Sequence, residues 1–284
     1  MGCCVRTGDS AADFWSANAD ILLGHESENN LMVGLTLRLL SAERTVRAHR
    51  FFTIRRGGAI VGQAIHTGGQ DALICARMPA DAAEALAEAC HRSGAAPVRV
   101  RGPSATAERF ARALATLQGS GVRLVQRQGL YELRSVRWPS HNGGTLLPAT
   151  QEHRPLVLAW MEGFIRECFP EVSDPRAVAE GIVERRLQAG HLFLWADAGG
   201  VPVAVAGRNR EGPTTATISL VYTPPDRRRQ GHARAVVAHL SQHWLDKGKS
   251  ACNLFTNLEN PASNRAYISV GYTLLQEQHI YAVG

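Results

Sequence analysis

Lysine is nearly absent from this chain. Of 31 basic residues only Lys247 and Lys249 are lysines, so the positive charge rests on arginine, whose planar fork suits carboxylate and phosphate. Long apolar runs are absent too. Nothing approaches the ~20 residues that span a bilayer, so no membrane partner is expected. The opening MGCCVRTGDS lacks a hydrophobic signal region, and Arg6 stands where N-myristoylation requires serine or threonine. The six cysteines (Cys3, Cys4, Cys75, Cys90, Cys168 and Cys252) follow no metal-binding or redox spacing. A chain of 284 residues does not need disulfides, so a reducing cytoplasm is the expected compartment. The net charge of +6 is spread along the chain and is not gathered into one face, which argues against a nucleic-acid partner.

What is present is enough apolar residue, 45%, for two cores. A Gly- and Pro-rich stretch, WPSHNGGTLLPAT, reads as a linker between them. The expected division is a first domain over 1–138, a linker over 139–147 and a second domain over 148–284. After the linker come two helices, the second opened by Asp174 as cap and Pro175 at its first position. A hairpin turning at Gly199-Gly200 follows, then the apolar strand TATISLVYT. Next is a helix with Ala233, Val236, Val237, Leu240 and Trp244 on one face, then the strand ACNLFTN, a short helix and a closing strand YTLLQEQHIYAV. The first half repeats this order with its own Gly57-Gly58 hairpin, so one α+β unit occurs twice, offset by about 140 residues. The copies differ at one junction. Ala80 and Asp81 lead directly into a helix in the first half, whereas the second half inserts PPDRRRQGH there.

Three consecutive arginines at the mouth of a helix repel one another, and the helix dipole adds to the cost. An anion offsets both. Helix-start N–H groups are unpaired and point at such a ligand, Gly231 permits a tight turn, and Ala233 keeps bulk away. Strand, arginine loop and helix together suit a pyrophosphate. The loop matches neither the P-loop pattern nor the three-glycine dinucleotide fingerprint. A nucleic-acid patch and a solvated turn are the competing readings, and no aromatic platform accompanies the first of them.

RRRQGHA resembles the Arg/Gln-x-x-Gly-x-Gly/Ala signature of the GNAT acyltransferase superfamily, with Arg228, Gly231 and Ala233 in the defining places. NLFTNLENPASNRAYISVGY resembles that superfamily's second signature through Asn260, Tyr267 and the Gly271-Tyr272 pair. The resemblance covers residues 146–283. It implies an α+β fold of two tandem GNAT-like domains, each a mixed, mostly antiparallel sheet flanked by helices, with the first domain degenerate. It implies acetyl-CoA as donor, no metal, and an amine of a small molecule or protein as acceptor. Backbone of Val221 and Thr223 would pair with pantetheine, and the loop Arg228, Arg229, Gln230, Gly231, His232 and Ala233, together with Asn260, would bind the donor. An N–H near Val221 would hold the oxyanion, and Tyr267 would protonate the leaving thiolate, with a packing role for Tyr267 as the alternative; Tyr272 reads as core.

The base is unassigned among Glu162, Glu167, Glu259 and a water chain, because TATISLVYT holds no carboxylate. His239 and His243 have a zinc-compatible spacing, but Leu240 replaces the glutamate of H-E-x-x-H, so a solvated helix flank is expected. An acetyltransferase, an acyl-CoA sensor without turnover and a charge-based interaction module are the three functional classes open. The acceptor and the oligomeric state are not readable from the residues.

Overall fold

The computed structural model describes residues 2–41, 49–68, 72–94, 96–139 and 143–284. The chain forms two compact units. Unit 1 comprises Met1–Leu130, Phe255–Glu259 and Leu274–Gly284, and unit 2 comprises Tyr131–Leu254 and Asn260–Thr273.

In unit 1 the elements run β1 (Cys3–Gly8), α1 (Ala11–Gly24), α2 (Asn30–Ser41), β2 (His49–Arg56), β3 (Ala59–Thr67), β4 (Ala72–Cys75), α3 (Ala80–Arg92), β5 (Arg99–Pro103), α4 (Ser104–Gln118) and β6 (Val122–Leu133). The last three residues of β6 lie in unit 2. Further along the chain come β7 (Gly144–Pro148), α5 (Arg154–Cys168), α6 (Pro175–Gln188), β8 (Leu192–Asp197), β9 (Pro202–Glu211), β10 (Thr215–Tyr222), α7 (His232–Asp246), β11 (Ala251–Asn257), α8 (Pro261–Val270) and β12 (Thr273–Val283).

The sheet of unit 1 has the order β1-β2-β3-β4-β5-β12-β6, and that of unit 2 the order β11-β10-β9-β8-β7. Each contains a parallel pair, β4 with β5 and β10 with β11, whose crossover is a helix. The pairs β1/β2, β2/β3, β3/β4, β5/β12, β7/β8, β8/β9 and β9/β10 are antiparallel. Both units are thus mixed, mostly antiparallel sheets flanked by helices.

Alternation along the strands sorts the cores. Phe52 and Ile54 on β2 join Leu86, Phe110 and Leu114 from α3 and α4, while Phe51 joins Phe14, Leu22 and Met32 from α1 and α2. In unit 2, Leu192 and Leu194 on β8 pack with Met161 and Val183 of α5 and α6. Phe193 and Trp195 alternate to the face of α7, against His243 and His239.

Two expectations about the division change. The strand at the C-terminus, expected to close the second domain, pairs instead with β5 in unit 1, from Gln278↔Pro103 to Ala282↔Arg99, and contributes Tyr281 and Val283 to that core. Alternation tells a strand which face to bury but not which neighbour to choose. Part of the expected linker 139–147 is strand β7, paired with β8; residues 140–142 of that linker lie outside the described residues. Strand β1, from a stretch read only for processing signals, lies beside β2.

Candidate active site

Unit 2 opens at the end of β10. β10 and β11 are paired only from Thr215↔Ala251 to Thr217↔Asn253, where Thr217 Oγ1 donates to Asn253 Oδ1 at 2.6 Å. β10 continues to Tyr222, so its last five residues have no partner on that side. On the other side, the register with β9 passes from Ser219↔Gly207 to Tyr222↔Val205, three steps against two. The extra residue is a β-bulge. Leu220 takes it up with φ of 54°, a conformation branched and bulky residues rarely adopt. Its side chain packs on the α5–α6 core, which over-determines the backbone. Val221, half-buried, follows directly.

Unit 1 has no such opening. At the matching place an added Cβ on Gly102 of β5 would lie 2.8 Å from the Cys75 carbonyl of β4, so these two strands stay closed. The start of α3 is also occupied, because Asp81 in its first turn is ion-paired to Arg56 and accepts from Cys3 Sγ at 3.4 Å. That carboxylate sits where the second half leaves its helix start uncapped.

After β10 the chain makes a short 3-10 turn, Pro225–Arg227, and enters the arginine loop. Arg229 has φ of 63° and Gly231 has φ of 84°. Gly231 is the N-cap of α7 and supplies no side-chain cap; the first helical bond runs from Ala235 N to the Gly231 carbonyl. The amides of His232, Ala233 and Arg234 therefore have no acceptor within the helix. Arg227, Arg229 and Arg234 stand exposed around them. The result is a concave, amide-lined, positively charged helix start, the arrangement that binds phosphates.

Arg228 has partners within unit 2. Its guanidinium, still exposed, donates to Glu167 Oε1 at 2.6 Å and Oε2 at 2.8 Å, while its Nε donates to the Thr223 carbonyl at 2.9 Å. It also lies 5.5 Å from the centre of the Tyr222 ring. One nitrogen, Nη2, donates to both carboxylate oxygens of Glu167 on α5, a charge-assisted pair that remains exposed. Arg228 thus fixes the loop to α5. The Thr223 carbonyl, expected to face the donor, is likewise engaged. The Tyr222 hydroxyl donates to Glu167 Oε1 at 3.1 Å, and Gly163, one turn earlier on α5, leaves room for it: a Cβ there would lie 2.5 Å from that oxygen. Glu167 therefore clamps both ends of the segment from Tyr222 to Arg228, which begins one residue after Val221. Sequence reading missed this clamp, since its members lie far apart in the chain.

Tyr267 projects from α8, half-buried, with its ring edge-on to Tyr272 at 6.2 Å. Burial pushes its pKa well up, and the neighbouring Cys168 thiol pushes it further. Cys168 follows Glu167, so the tyrosine faces the same end of α5 as the clamp. Tyr272 is core, as expected, hydrogen-bonded to Ser241 at 2.8 Å. Asn260, expected among the donor contacts, caps α8 by accepting from Ser263 N at 3.1 Å.

The three candidate carboxylates are placed as follows. Glu162 is held by Arg166 at 2.6 Å and Arg176 at 3.3 Å, and these bonds hold its carboxyl below the usual range. Glu167 is committed to Arg228, and Glu259 lies in unit 1. His239 and His243 are not a solvated flank. His239 packs against Trp195 and Trp138 at 4.5 and 4.9 Å, His243 against Phe193 and Trp244 at 5.4 and 5.3 Å, and desolvation lowers both pKa values. Among the described residues no three His, Cys, Asp or Glu side chains gather into a metal site, and no helix is long and apolar enough to cross a membrane.

One titration follows from unit 2. Arg208 bonds the ring nitrogen of His191, and burial first, then Arg208 and Arg186, push the His191 pKa down to about 4 from its ordinary 6.5. The unfolded chain binds the proton first, so stability is full above pH 6.5 and declines as the pH falls from there toward 4. A thermal melt series across that window is expected to show the decline in wild type and a flatter profile in His191→Gln, which still accepts from Arg208.

The profile of the acetyltransferase (GNAT) family matches residues 158–272, from α5 to the glycine-aromatic pair after α8. No curated protein matches the sequence. Solved GNAT structures match the fold of nearly the whole chain. The GNAT-family acetyltransferase from Colwellia psychrerythraea is 14% identical with a TM-score of 0.57, and the match covers 99% of each chain. A GCN5-related N-acetyltransferase from Sphaerobacter thermophilus is 15% identical with a TM-score of 0.60, covering 98% of this chain and 94% of that one. A tandem GNAT protein from the clavulanic acid biosynthesis pathway is 12% identical with a TM-score of 0.50, covering 99% and 98%. The chain has a tandem GNAT-like fold, with the family signature in the second half.

Proposed function

We propose that the GNAT unit transfers an acetyl group from acetyl-CoA to an amine by direct attack on the thioester. The observation that supports this is the unpaired end of β10, with its bulge at Leu220, leading straight to the uncapped start of α7. A donor with a pyrophosphate and an amide-bearing arm needs both. The amides of Arg229 to Ala233 hold the diphosphate, and Val221 pairs with the pantetheine arm as a strand would. The bulge releases an N–H beside Val221 from the β9 ladder, and this polarises the thioester carbonyl and holds its developing charge.

The amine nitrogen bonds to the carbonyl carbon, the carbon–sulfur bond breaks, and the proton lost by nitrogen ends on sulfur. Tyr267 assists that last transfer. The hydroxyl is protonated at neutral pH, as an ordinary tyrosine is, and can hydrogen-bond the departing sulfur and donate to it. The amine proton leaves through solvent, which returns a proton to Tyr267, so the net transfer is from nitrogen to sulfur. The acceptor is an amine of a small molecule or a protein.

Tyr267→Phe tests the assignment. It is expected to lower kcat by roughly 10- to 1000-fold while leaving donor Kd nearly unchanged, because the hydroxyl acts only in the transition state. Acetylation of a polyamine or aminoglycoside, or slow acetyl-CoA hydrolysis, supplies the readout. Wild-type turnover in the Phe variant removes Tyr267 from the mechanism.

The clamp gives a second expectation. Glu167→Gln is expected to shift Tm little, since a half-exposed ion pair contributes about 0–1 kcal/mol, yet to weaken acetyl-CoA roughly 3- to 10-fold by loosening Arg228 and the loop. Isothermal titration beside a melt separates the two effects. Equal affinity in mutant and wild type shows that the clamp does not order the donor loop.

A further inference from the structure

Unit 1 has an open cavity of about 450 Å³ at one end of its sheet, where β5, β12 and β6 lie side by side. Two arginines line it, Arg99 on β5 and Arg123 on β6. The strand register sets them in one row. Arg99 is opposite Ala282 of β12. On the other side of β12, Gly284 N donates to the Gly121 carbonyl at 3.2 Å, and Thr273 Oγ1 donates to the Glu132 carbonyl at the far end, so β12 and β6 run antiparallel. Gly284 is thus opposite Gly121, and Ala282, two residues back, is opposite Arg123. Val100, Val122, Tyr281 and Val283 turn to the α3–α4 core, so by alternation Arg99, Ala282 and Arg123 share the other face.

The two faces treat arginine differently. On the helix side, Arg56, Arg92, Arg109 and Arg112 each pair with a carboxylate of α3 or α4. Arg99 and Arg123 are both exposed, and among the described residues neither guanidinium has an ion pair or a hydrogen bond. Among the described residues no aspartate or glutamate side chain lines the cavity, and the Gly284 carboxylate at its wall pairs with neither arginine. Arg101, two residues along β5 on the same face, adds to the positive charge.

Strands two spacings apart put the two arginine backbones about 9.6 Å from each other, so both long side chains reach the space above Ala282. The single methyl of Ala282 leaves that floor clear. Two cations facing one space repel, and an anion between them reverses the sign. Each guanidinium is a rigid fork for a pair of oxygens. One carboxylate fills one fork. A phosphate monoester, with three terminal oxygens and a charge near −2, fills both. Val98, 51% exposed, gives the cavity an apolar wall for the group that such a phosphate carries. We infer that this cavity of unit 1 binds a phosphate monoester, with Arg99 and Arg123 on the phosphate and its organic group against Val98. The site is separate from the acetyl-transfer reading of unit 2 and does not depend on it.

Titration calorimetry of the full chain at pH 8, without a tag at the C-terminus, tests this with phenyl phosphate, inorganic phosphate, succinate and acetate. Phenyl phosphate is expected to bind saturably, inorganic phosphate more weakly for want of a group on Val98, and both carboxylates at least tenfold more weakly than phenyl phosphate. Gly231→Asp, which blocks the helix start of α7, should leave a phenyl phosphate site in place. In that background Arg99→Gln and Arg123→Gln, both exposed and so folding as before, should each weaken phenyl phosphate at least tenfold. Ala282→Asp sets a carboxylate between the two guanidiniums, so it should abolish binding while Tm stays level or rises. The inference is overturned if phenyl phosphate shows no saturable binding, if inorganic phosphate or a carboxylate matches it, or if the arginine or Ala282→Asp variants bind as their parent does. It is overturned equally if Gly231→Asp alone removes the binding, which assigns the anion to α7.

Discussion

Gly231→Asp abolishes measurable acetyl-CoA binding, with an expected loss of more than 100-fold in Kd, the combined effect of a left-handed backbone and a misplaced charge. Gly231 holds φ at 84°, where a side-chain-bearing residue costs about 1 kcal/mol. The greater part of the loss is electrostatic. The carboxylate would lie at the N-cap of α7, where it accepts the amides of His232 to Arg234 that the diphosphate needs. The mutant helix is therefore well capped and the protein should melt near wild type. Gly231→Asn is the control, because asparagine tolerates the same backbone and caps the same helix without the charge. Titration calorimetry on the pair isolates the charge. An aspartate variant that binds the donor within threefold of wild type rules out the loop as the phosphate site.

Ending the chain at Thr273 is expected to destroy unit 1, although the residues removed follow unit 2 in sequence. β12 lies between β5 and β6, and its loss leaves both with unpaired backbone inside the sheet. Tyr281 and Val283 leave the α3–α4 core with it, and removing one large core side chain alone costs about 3–5 kcal/mol, a large share of a domain's stability. The truncated chain should be insoluble, or should show loss of the cooperative melting transition with far-UV circular dichroism diminished. The peptide of residues 274–284 supplied in trans should recover part of the transition. A truncated chain that melts cooperatively at the wild-type temperature would show that β12 is dispensable.

Much of the site is legible in the sequence because its signals are local. Strand, arginine loop, Gly231 and helix α7 are contiguous, and a helix start carries its unpaired amides whatever surrounds it. The same holds for Asp174, the cap of the helix it opens; Asn260, read only as a donor contact through the family resemblance, caps α8. What is not legible depends on a partner elsewhere. Leu220 looks like any strand residue, since a bulge is a property of the β9 register and not of TISLVY. Nothing near Arg228 in sequence points to its partner Glu167, 61 residues away. His239 and His243 read as a flank because the aromatic rings they meet come from other elements.

The sequence by itself determined most of the elements, the duplicated α+β plan and the position of the glycine-led helix start, all set by periodicity, capping and turn chemistry within a few residues. Only the tertiary structure decided which strands are neighbours. It placed β12 in unit 1, closed the β4–β5 edge at Gly102 while leaving the β10 edge open, and joined Arg228 to Glu167. A strand's pattern specifies the face it buries, whereas its register and its partner come from the summed packing of residues remote in the chain.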